Sequence, residues 1–325
     1  MPLLAVLAGP TASGKTALAL HWAMQHPFPD APRAEHSDRR IAVISADSRQ
    51  IYRDFCVGTG TPTESDRNGI DHHLLGFLDP MEAYSPRRFA ADATAVVAAH
   101  PDTDFLVVGG TGLYLREWMY PGAEDREETP RAVREAAAAA ITASGLEAVH
   151  TDLTAKDPAG MYRVDPHDAY RITKRLENWL HTGRSYAAPK PEQPLNPVFA
   201  GVPFLWLEPE RKELHRRIEA RAEEMFRNDW VGEVRSLMTR YDPLRTPAFN
   251  AIGYREIAAA LAVEKPPEAA LGTVVARTRQ YAKKQVTFFR HQFPNAAAWE
   301  PAALEKALIA ADWVASALPS VKISA

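Results

Sequence analysis

The sequence predicts an α/β fold, a P-loop parallel-sheet core with an inserted helical domain, and three observations point to it. Apolar runs at Leu3–Ala8, Ile41–Ala46 and Phe105–Val108 have the length of buried parallel strands. Each ends in a polar or glycine-rich turn, and helical patterns lie between them. Directly behind the first run stands Gly9-Pro10-Thr11-Ala12-Ser13-Gly14-Lys15-Thr16, which matches the phosphate-loop pattern G-x-x-x-x-G-K-[ST] at every fixed position. From about Glu124 the texture changes to alanine-rich and amphipathic helix, as expected of a module inserted between strands.

In chain order, the first run leads through the loop into Ala17, Leu18, Leu20, Trp22 and Ala23, which recur with helical spacing. A glycine-rich curl points several N–H groups at one anion, and the helix N-terminus behind it adds its positive dipole end. The Pro-, Asp- and Arg-rich stretch His26–Arg40 reads as a surface loop or insertion ahead of the second strand, and Pro203–Leu207 is a candidate fourth strand. Pro130–Ala143 and Asp165–Leu180 read as helices, followed by a Pro-rich link over Ala187–Pro197. Leu214–Arg240 and Thr273–His291 are long helical patterns that return to the core. The expected division is a discontinuous catalytic core at 1–115 and 201–315, a helical module at 116–200 and a tail at 316–325.

Composition narrows the function classes. At 325 residues with 46% hydrophobic and 24% charged side chains, the chain is an ordinary globular protein with a sizeable core. A formal net charge of −3 argues against a protein that coats nucleic acid non-specifically, while leaving room for a local basic patch. The single cysteine, Cys56, excludes an internal disulfide framework and a four-cysteine zinc site, and it reads as a small core residue. No run approaches the ~18 apolar residues of a membrane span, and the N-terminal run is too short for a signal peptide, so a cytoplasmic location is expected.

The chemistry gathers at the strand ends. The loop binds a di- or triphosphate, with Lys15 charging the terminal phosphates and the Thr16 hydroxyl available to a magnesium ion. Asp47-Ser48-Arg49-Gln50-Ile51-Tyr52-Arg53 follows the second strand, where open α/β sheets bind their ligands. Asp47 there has three readings: the magnesium-holding carboxylate of an NTPase, a general base facing an incoming nucleophile, or a turn-capping aspartate. Gly109-Gly110-Thr111-Gly112 follows the third strand, its bare backbone permitting close ligand approach and Thr111 offering a hydroxyl. His72 and His73, with no spaced cysteine or carboxylate cluster beside them, read as structural or turn residues.

Together these segments resemble the tRNA dimethylallyltransferases (tRNA isopentenyltransferases, bacterial type). The loop Gly-Pro-Thr-Ala-Ser-Gly-Lys-Thr, the Asp-Ser-x-x-x-Tyr segment at Asp47 and Gly-Gly-Thr-x-Leu-Tyr at Gly109 stand in the family's order. His72-His73-Leu74-Leu75, Tyr84-Ser85 with Phe89, Arg171–Glu177, Ala251–Glu256 and Arg279–Arg290 are similar to further family segments. Departures are Arg49 in a variable slot, the long His26–Arg40 stretch, and the absence of the zinc-finger cysteines that eukaryotic relatives carry.

The resemblance implies that dimethylallyl diphosphate, not a nucleotide, places its diphosphate on Gly9, Pro10, Thr11, Ala12, Ser13, Gly14, Lys15 and Thr16, with magnesium on Thr16. Arg221 is a further candidate for the diphosphate, provided the fold turns it inward from a solvated helix face. The resemblance further implies attack by N6 of the adenine 3′ of a tRNA anticodon, with Asp47 accepting or orienting the N6 proton and Thr111 close to the reacting groups. It points to Asp47, Ser48, Arg49, Gln50, Thr111, Arg134, Tyr170, Arg171, Ile172, Thr173, Lys174, Asn250, Ala251, Ile252, Gly253, Tyr254, Arg255, Lys283, Lys284, Gln285 and Arg290 as tRNA-facing. The helical module is then expected to clamp the anticodon stem-loop, and nothing in the chain demands more than a monomer. Competing readings are an adenylate isopentenyltransferase, a P-loop small-molecule or nucleotide kinase, and a non-catalytic RNA-binding P-loop protein. A small nucleotide requires neither the module nor the basic segment at 277–290.

Overall fold

A computed structural model describes residues 2, 4–24, 39–122, 129–187, 194–293 and 296–310. The chain divides into two compact units, one of Met1–Tyr120 with Leu195–Ala325 and one of Pro121–Pro194. The first unit is built on the strands β1 (Leu4–Ala8), β2 (Arg40–Ser45), β3 (Asp71–His73), β4 (Thr103–Gly109), β5 (Phe204–Leu207) and β6 (Ala297–Trp299). They form one six-stranded sheet in the order β3-β2-β4-β1-β5-β6, with every pairing parallel.

The helices are α1 (Lys15–Met24), α2 (Pro86–Ala99), α3 (Gly112–Met119), α4 (Arg131–Ser144), α5 (Leu146–Lys156), α6 (Ala169–Thr182), α7 (Arg211–Arg227), α8 (Trp230–Met238), α9 (Tyr254–Ala262), α10 (Leu271–Gln292) and α11 (Pro301–Ala310). Local sequence sets several of their ends. Ser85 caps α2 by accepting the Arg88 N–H, with Pro86 behind it, and Gly183 closes α6 in the left-handed conformation.

β1 and β4 are buried along their whole length because a strand lies on each side and apolar side chains cover both faces. Their neighbourhood explains the site. β4 sits between β2 and β1, so the segments after all three strands meet at one sheet edge. Backbone hydrogen bonds stitch them there: Gly9 N–H to Gly109 O at 3.2 Å, Ala46 N–H to Val108 O at 2.7 Å and Thr111 N–H to Ala46 O at 3.1 Å. A second cluster, including Ile51, Phe55, Ile218, Trp230, Phe249 and Tyr254, packs the Asp47 segment against α7, α8, α9 and α10. The second unit has its own core of Ala137, Val149, Leu153, Met161, Val164, Ile172 and Leu176 from α4, α5, α6 and the α5–α6 connection.

Gly109 makes the stitching possible. A Cβ there would lie 2.0 Å from the Ala46 carbonyl oxygen and 2.7 Å from its Cα, and backbone cannot swing aside. Gly109→Ala is therefore expected to lose about 3 kcal/mol or more of stability, read as a lower urea midpoint. A midpoint unchanged from wild type would show that β2 and β4 do not close so tightly.

The structure corrects several expectations. The pattern over Leu214–Arg240 is two helices, not one: Asp229 adopts a left-handed φ of 62° and caps α8 by accepting the Gly232 N–H. His72 and His73 are not turn residues but lie in the edge strand β3, beside β2. β6 has too short an apolar run to be read in isolation and is defined by its pairing with β5. Cys56 is exposed, not core, its backbone N–H taken by Glu233. Residues 26–38 of the expected insertion His26–Arg40, residues 188–193 of the expected link Ala187–Pro197 and the tail at 316–325 lie outside the described residues, while Arg40 already belongs to β2. Among the described residues no helix is long and apolar enough to cross a membrane.

Candidate active site

The phosphate loop leaves β1 at Ala8 and closes on itself through the Ser13 N–H to Pro10 O bond at 3.2 Å. Ala12 and Gly14 adopt left-handed φ values of 60° and 88° before α1 begins at Lys15, and glycine at position 14 meets that demand without strain. Two polar groups of the loop stand without full satisfaction. The buried Ser13 Oγ has no hydrogen-bond partner among the described residues, and Lys15 Nζ donates to Pro10 O at 3.3 Å. Burial lowers the Lys15 pKa to about 8; the Asp47 carboxylate opposes this and the Arg221 guanidinium adds to it.

Asp47 divides its two oxygens. Oδ1 accepts the Arg49 N–H at 2.8 Å and the Gln50 N–H at 3.4 Å, the turn role that the sequence allowed. Oδ2 accepts no hydrogen bond among the described residues, so the carboxylate is held by one oxygen and presents the other. Thr111 begins α3 but does not cap it; its Oγ1 accepts the Ser48 N–H at 2.9 Å, with the Tyr281 side chain beside it. Tyr281 has its phenol pushed up to about 12, first by burial and then by the Asp47 carboxylate.

Arg221 is turned inward, as its candidacy required. Burial pulls its pKa down, Asp47 and Glu224 oppose that, and its guanidinium makes no hydrogen bond among the described residues. Gly60 makes room for it: a Cβ there would lie 1.9 Å from an Arg221 Nη atom.

Two cavities meet at Asp47. The smaller, of about 20 Å³, is lined by Lys15, Thr16, Ser45, Gln50, His72 and Gly109 among others. The larger, of about 140 Å³, has a mixed lining, with Thr11, Arg49, Arg221, Asn250 and Tyr281 among its polar members. Its apolar members include Ala12, Ile218, Ala222, Met225, Trp230, Ile252 and Val274. Asp47 lines both. A carboxylate is therefore shared by a cationic anion cradle and a chamber with a largely apolar lining, which suits a reaction that expels an anion from an apolar group.

Two residues that sequence reasoning had not given a structural role hold this arrangement. Gln285 is buried; its Oε1 accepts the Thr11 N–H and its Nε2 donates to Gly110 O, each at 2.9 Å, so α10 ties the phosphate loop to the Gly-Gly-Thr turn. Glu233 accepts from the Cys56 and Val57 N–H groups and from the Tyr254 hydroxyl, fixing the loop that carries Gly58 and Gly60. Neither leaves a local signal, since one amide or acid in a helical pattern reads as a solvated face.

The residues expected to face RNA separate into two groups. Ile172 is in the core of the second unit; Ala251, Gly253 and Tyr254 are buried, with the Tyr254 hydroxyl on Glu233, and Gln285 is spent on the two loops. These five residues do not reach the surface, because packing and hydrogen bonds inside the fold engage them. Arg134, Tyr170, Arg171, Asn250, Lys283, Lys284 and Arg290 are exposed, while Ser48, Arg49, Gln50, Thr173, Lys174, Ile252 and Arg255 are partly so. Several are already engaged: Arg171 with Asp168, Lys174 with Glu177, Arg290 with Glu208, and Arg255 with the Pro243 and Leu244 carbonyls. Gln50 bonds the Thr59 and Gly60 carbonyls.

Known proteins resemble this chain along most of its length. The family model described as IPP transferase matches residues 50–292. The chain is 37% identical over 292 residues to the tRNA dimethylallyltransferase of Rhizobium meliloti (strain 1021), covering 88% of this chain and 91% of that one. The crystal structure of the full-length tRNA isopentenylpyrophosphate transferase from Bacillus halodurans superposes with a TM-score of 0.63 at 26% identity, covering 97% and 98% of the two chains. A eukaryotic dimethylallyltransferase acting on tRNA shares the fold with a TM-score of 0.74 at 21% identity, covering 99% of this chain and 82% of that one.

Proposed function

This chain belongs to the IPP transferase family, and on that premise we propose that it transfers the dimethylallyl group of dimethylallyl diphosphate to N6 of the adenine immediately 3′ of the anticodon in tRNA. The observation that carries the reading is Asp47, with one oxygen anchored and the other presented near two desolvated cations, in the lining of a largely apolar cavity. Such a cavity suits a five-carbon tail and a splayed base better than a second polyphosphate.

In the reaction the bond between the allylic C1 and the diphosphate oxygen breaks, the N6–C1 bond forms, and diphosphate departs with the electron pair. The N6 proton passes to the presented oxygen of Asp47, which matters because an exocyclic amine is a poor nucleophile until it sheds that proton. Lys15, Arg221 and the loop N–H groups stabilise charge where it accumulates, on the leaving group. Thr111 keeps the Asp47 turn in place through Ser48.

A magnesium ion fits this donor set on limited terms. Among the described residues no group of three His, Cys, Asp or Glu side chains could hold a metal alone. The Thr16 hydroxyl, one residue past the buried Lys15 and lining the smaller cavity, would hold the ion together with diphosphate oxygens. When bound, magnesium neutralises part of the diphosphate charge.

We read the exposed cations Arg134, Arg171, Lys283 and Lys284 as contacts for tRNA phosphates, a reading supported by their charge and exposure. We take the chain to act as a monomer in the cytoplasm, where tRNA is found. The test is incubation with dimethylallyl diphosphate and an anticodon stem-loop, followed by mass analysis of the nucleosides. Adenosine heavier by one isopentenyl unit, with diphosphate released only when RNA is present, is the expected result. Phosphate release from ATP in place of that product would overturn it.

A pH dependence follows from Lys15. Its pKa in the free protein is about 8, and a bound diphosphate favours the charged form and raises it. Binding therefore takes up a proton above about pH 8, and donor affinity falls by up to about tenfold per pH unit as the pH climbs from there toward the bound-state pKa. Calorimetry in two buffers of different ionisation enthalpy reads that proton uptake directly; its absence at pH 9 would mean that Lys15 is already charged.

A further inference from the structure

Tyr281 belongs to the site but has no part in the chemistry described so far. It lies on α10 and lines the larger cavity together with Asp47 and Arg49. Its neighbours hold it firmly: Ala282 is buried, and Gln285, one turn on, is tied to both loops. The ring cannot drift without disturbing the whole edge.

The hydrogen-bond inventory around its hydroxyl leaves one proton over. Thr111 Oγ1 accepts from the Ser48 N–H, and the Tyr281 hydroxyl beside it finds no acceptor within hydrogen-bonding geometry among the described residues. The phenol proton therefore still needs an acceptor. Asp47 Oδ1 is taken by the Arg49 and Gln50 N–H groups, and no bond between Tyr281 and Asp47 is present. Among the described residues, Asp47, Arg49, Thr111 and Tyr114 lie about this hydroxyl. Near neutral pH the phenol stays protonated, because burial and the adjacent carboxylate both disfavour its anion. The cavity thus has an acceptor, Asp47 Oδ2, and a neighbouring donor, Tyr281 Oη–H, in its lining.

That pairing is complementary to one edge of adenine. Adenine offers the N6 amine as donor with a ring-nitrogen acceptor on either side of it, N1 or N7. Guanine offers a carbonyl oxygen where adenine has the amine, which would set acceptor against acceptor at Asp47. We infer that Asp47 and Tyr281 read the acceptor base as a pair, the carboxylate taking an N6 proton and the phenol donating to the adjoining ring nitrogen, and that this pair confines transfer to adenine. The inference rests on the proposed transfer to N6 and adds a base-reading role for Tyr281. It also makes Tyr281 useful to the reaction, since a hydrogen bond to the ring holds N6 against both the carboxylate and the allylic carbon.

The experiment compares wild type and Tyr281→Phe on stem-loops carrying adenine, 1-deazaadenine or 7-deazaadenine at the modified position. Wild type is expected to lose about tenfold in kcat/KM on one of the two deaza bases. Tyr281→Phe is expected to lose about tenfold on adenine and nothing further on that deaza base, with the KM for dimethylallyl diphosphate unchanged. An equal deaza penalty in both proteins, or none in wild type for either base, would overturn the role of Tyr281. Should the variant fail to fold, the wild-type comparison still decides, since indifference to both deaza bases is fatal. No transfer by wild type to the adenine stem-loop would instead refute the proposed function itself.

Discussion

Asp47→Asn is expected to lower single-turnover transfer by about a thousandfold while leaving tRNA affinity within a few-fold of wild type. The substitution isolates one oxygen. The asparagine carbonyl still accepts the Arg49 and Gln50 N–H groups that Oδ1 holds at 2.8 and 3.4 Å, so the turn survives. What changes is the presented atom, where an amide donor replaces an acceptor and meets the N6 protons head-on. Donor binding should hold or tighten slightly, because Asp47 is the carboxylate that offsets the cationic field of both Lys15 and Arg221. Rapid-quench measurement with labelled dimethylallyl diphosphate separates the two effects. Activity above a tenth of wild type would remove Asp47 as the proton acceptor.

Arg221→Met is expected to separate function from stability in opposite directions. In the empty protein the guanidinium is desolvated, faces Lys15, and makes no hydrogen bond among the described residues, so its charge works against the fold. Methionine of similar length beside Ile218 and Ala222 should leave the thermal midpoint unchanged or raise it by about 2 °C. The same change removes a fixed cation from the leaving group, for which a loss of about a hundred- to a thousandfold in kcat/KM for the donor is expected. A lowered midpoint with intact kinetics would mean that Arg221 is a structural residue.

The parts of this site differ in how openly the sequence displays them. The phosphate loop and the Asp47 and Thr111 turns were legible because each is a local pattern whose chemistry depends on backbone and on residues within one turn. Arg221 was ambiguous, since its segment Arg217-Ile218-Glu219-Ala220-Arg221 reads as a solvated helix face until Gly60 and the second core cluster draw one side inward. Gln285 and Tyr254 were assigned to the RNA surface and lie inside, because one polar tip does not reveal whether its partner is solvent or a loop 175 residues away. The split at Asp229 was hidden for a related reason: helical periodicity continues across a left-handed residue when both flanking helices bury the same cluster.

Chain order alone established a parallel α/β core, an anion cradle at a strand end, an acid and a hydroxyl at two other strand ends, and a helical insertion. Those follow from short-range rules of backbone curl, burial and dipole, which act within a few residues. Packing decided the rest. The order β2-β4-β1 brings the three strand ends to one edge, α10 bolts two of them together through Gln285, and α7 turns Arg221 inward. Which oxygen of Asp47 is spent and which is free depends on hydrogen bonds counted across the folded site, and no local pattern carries that count.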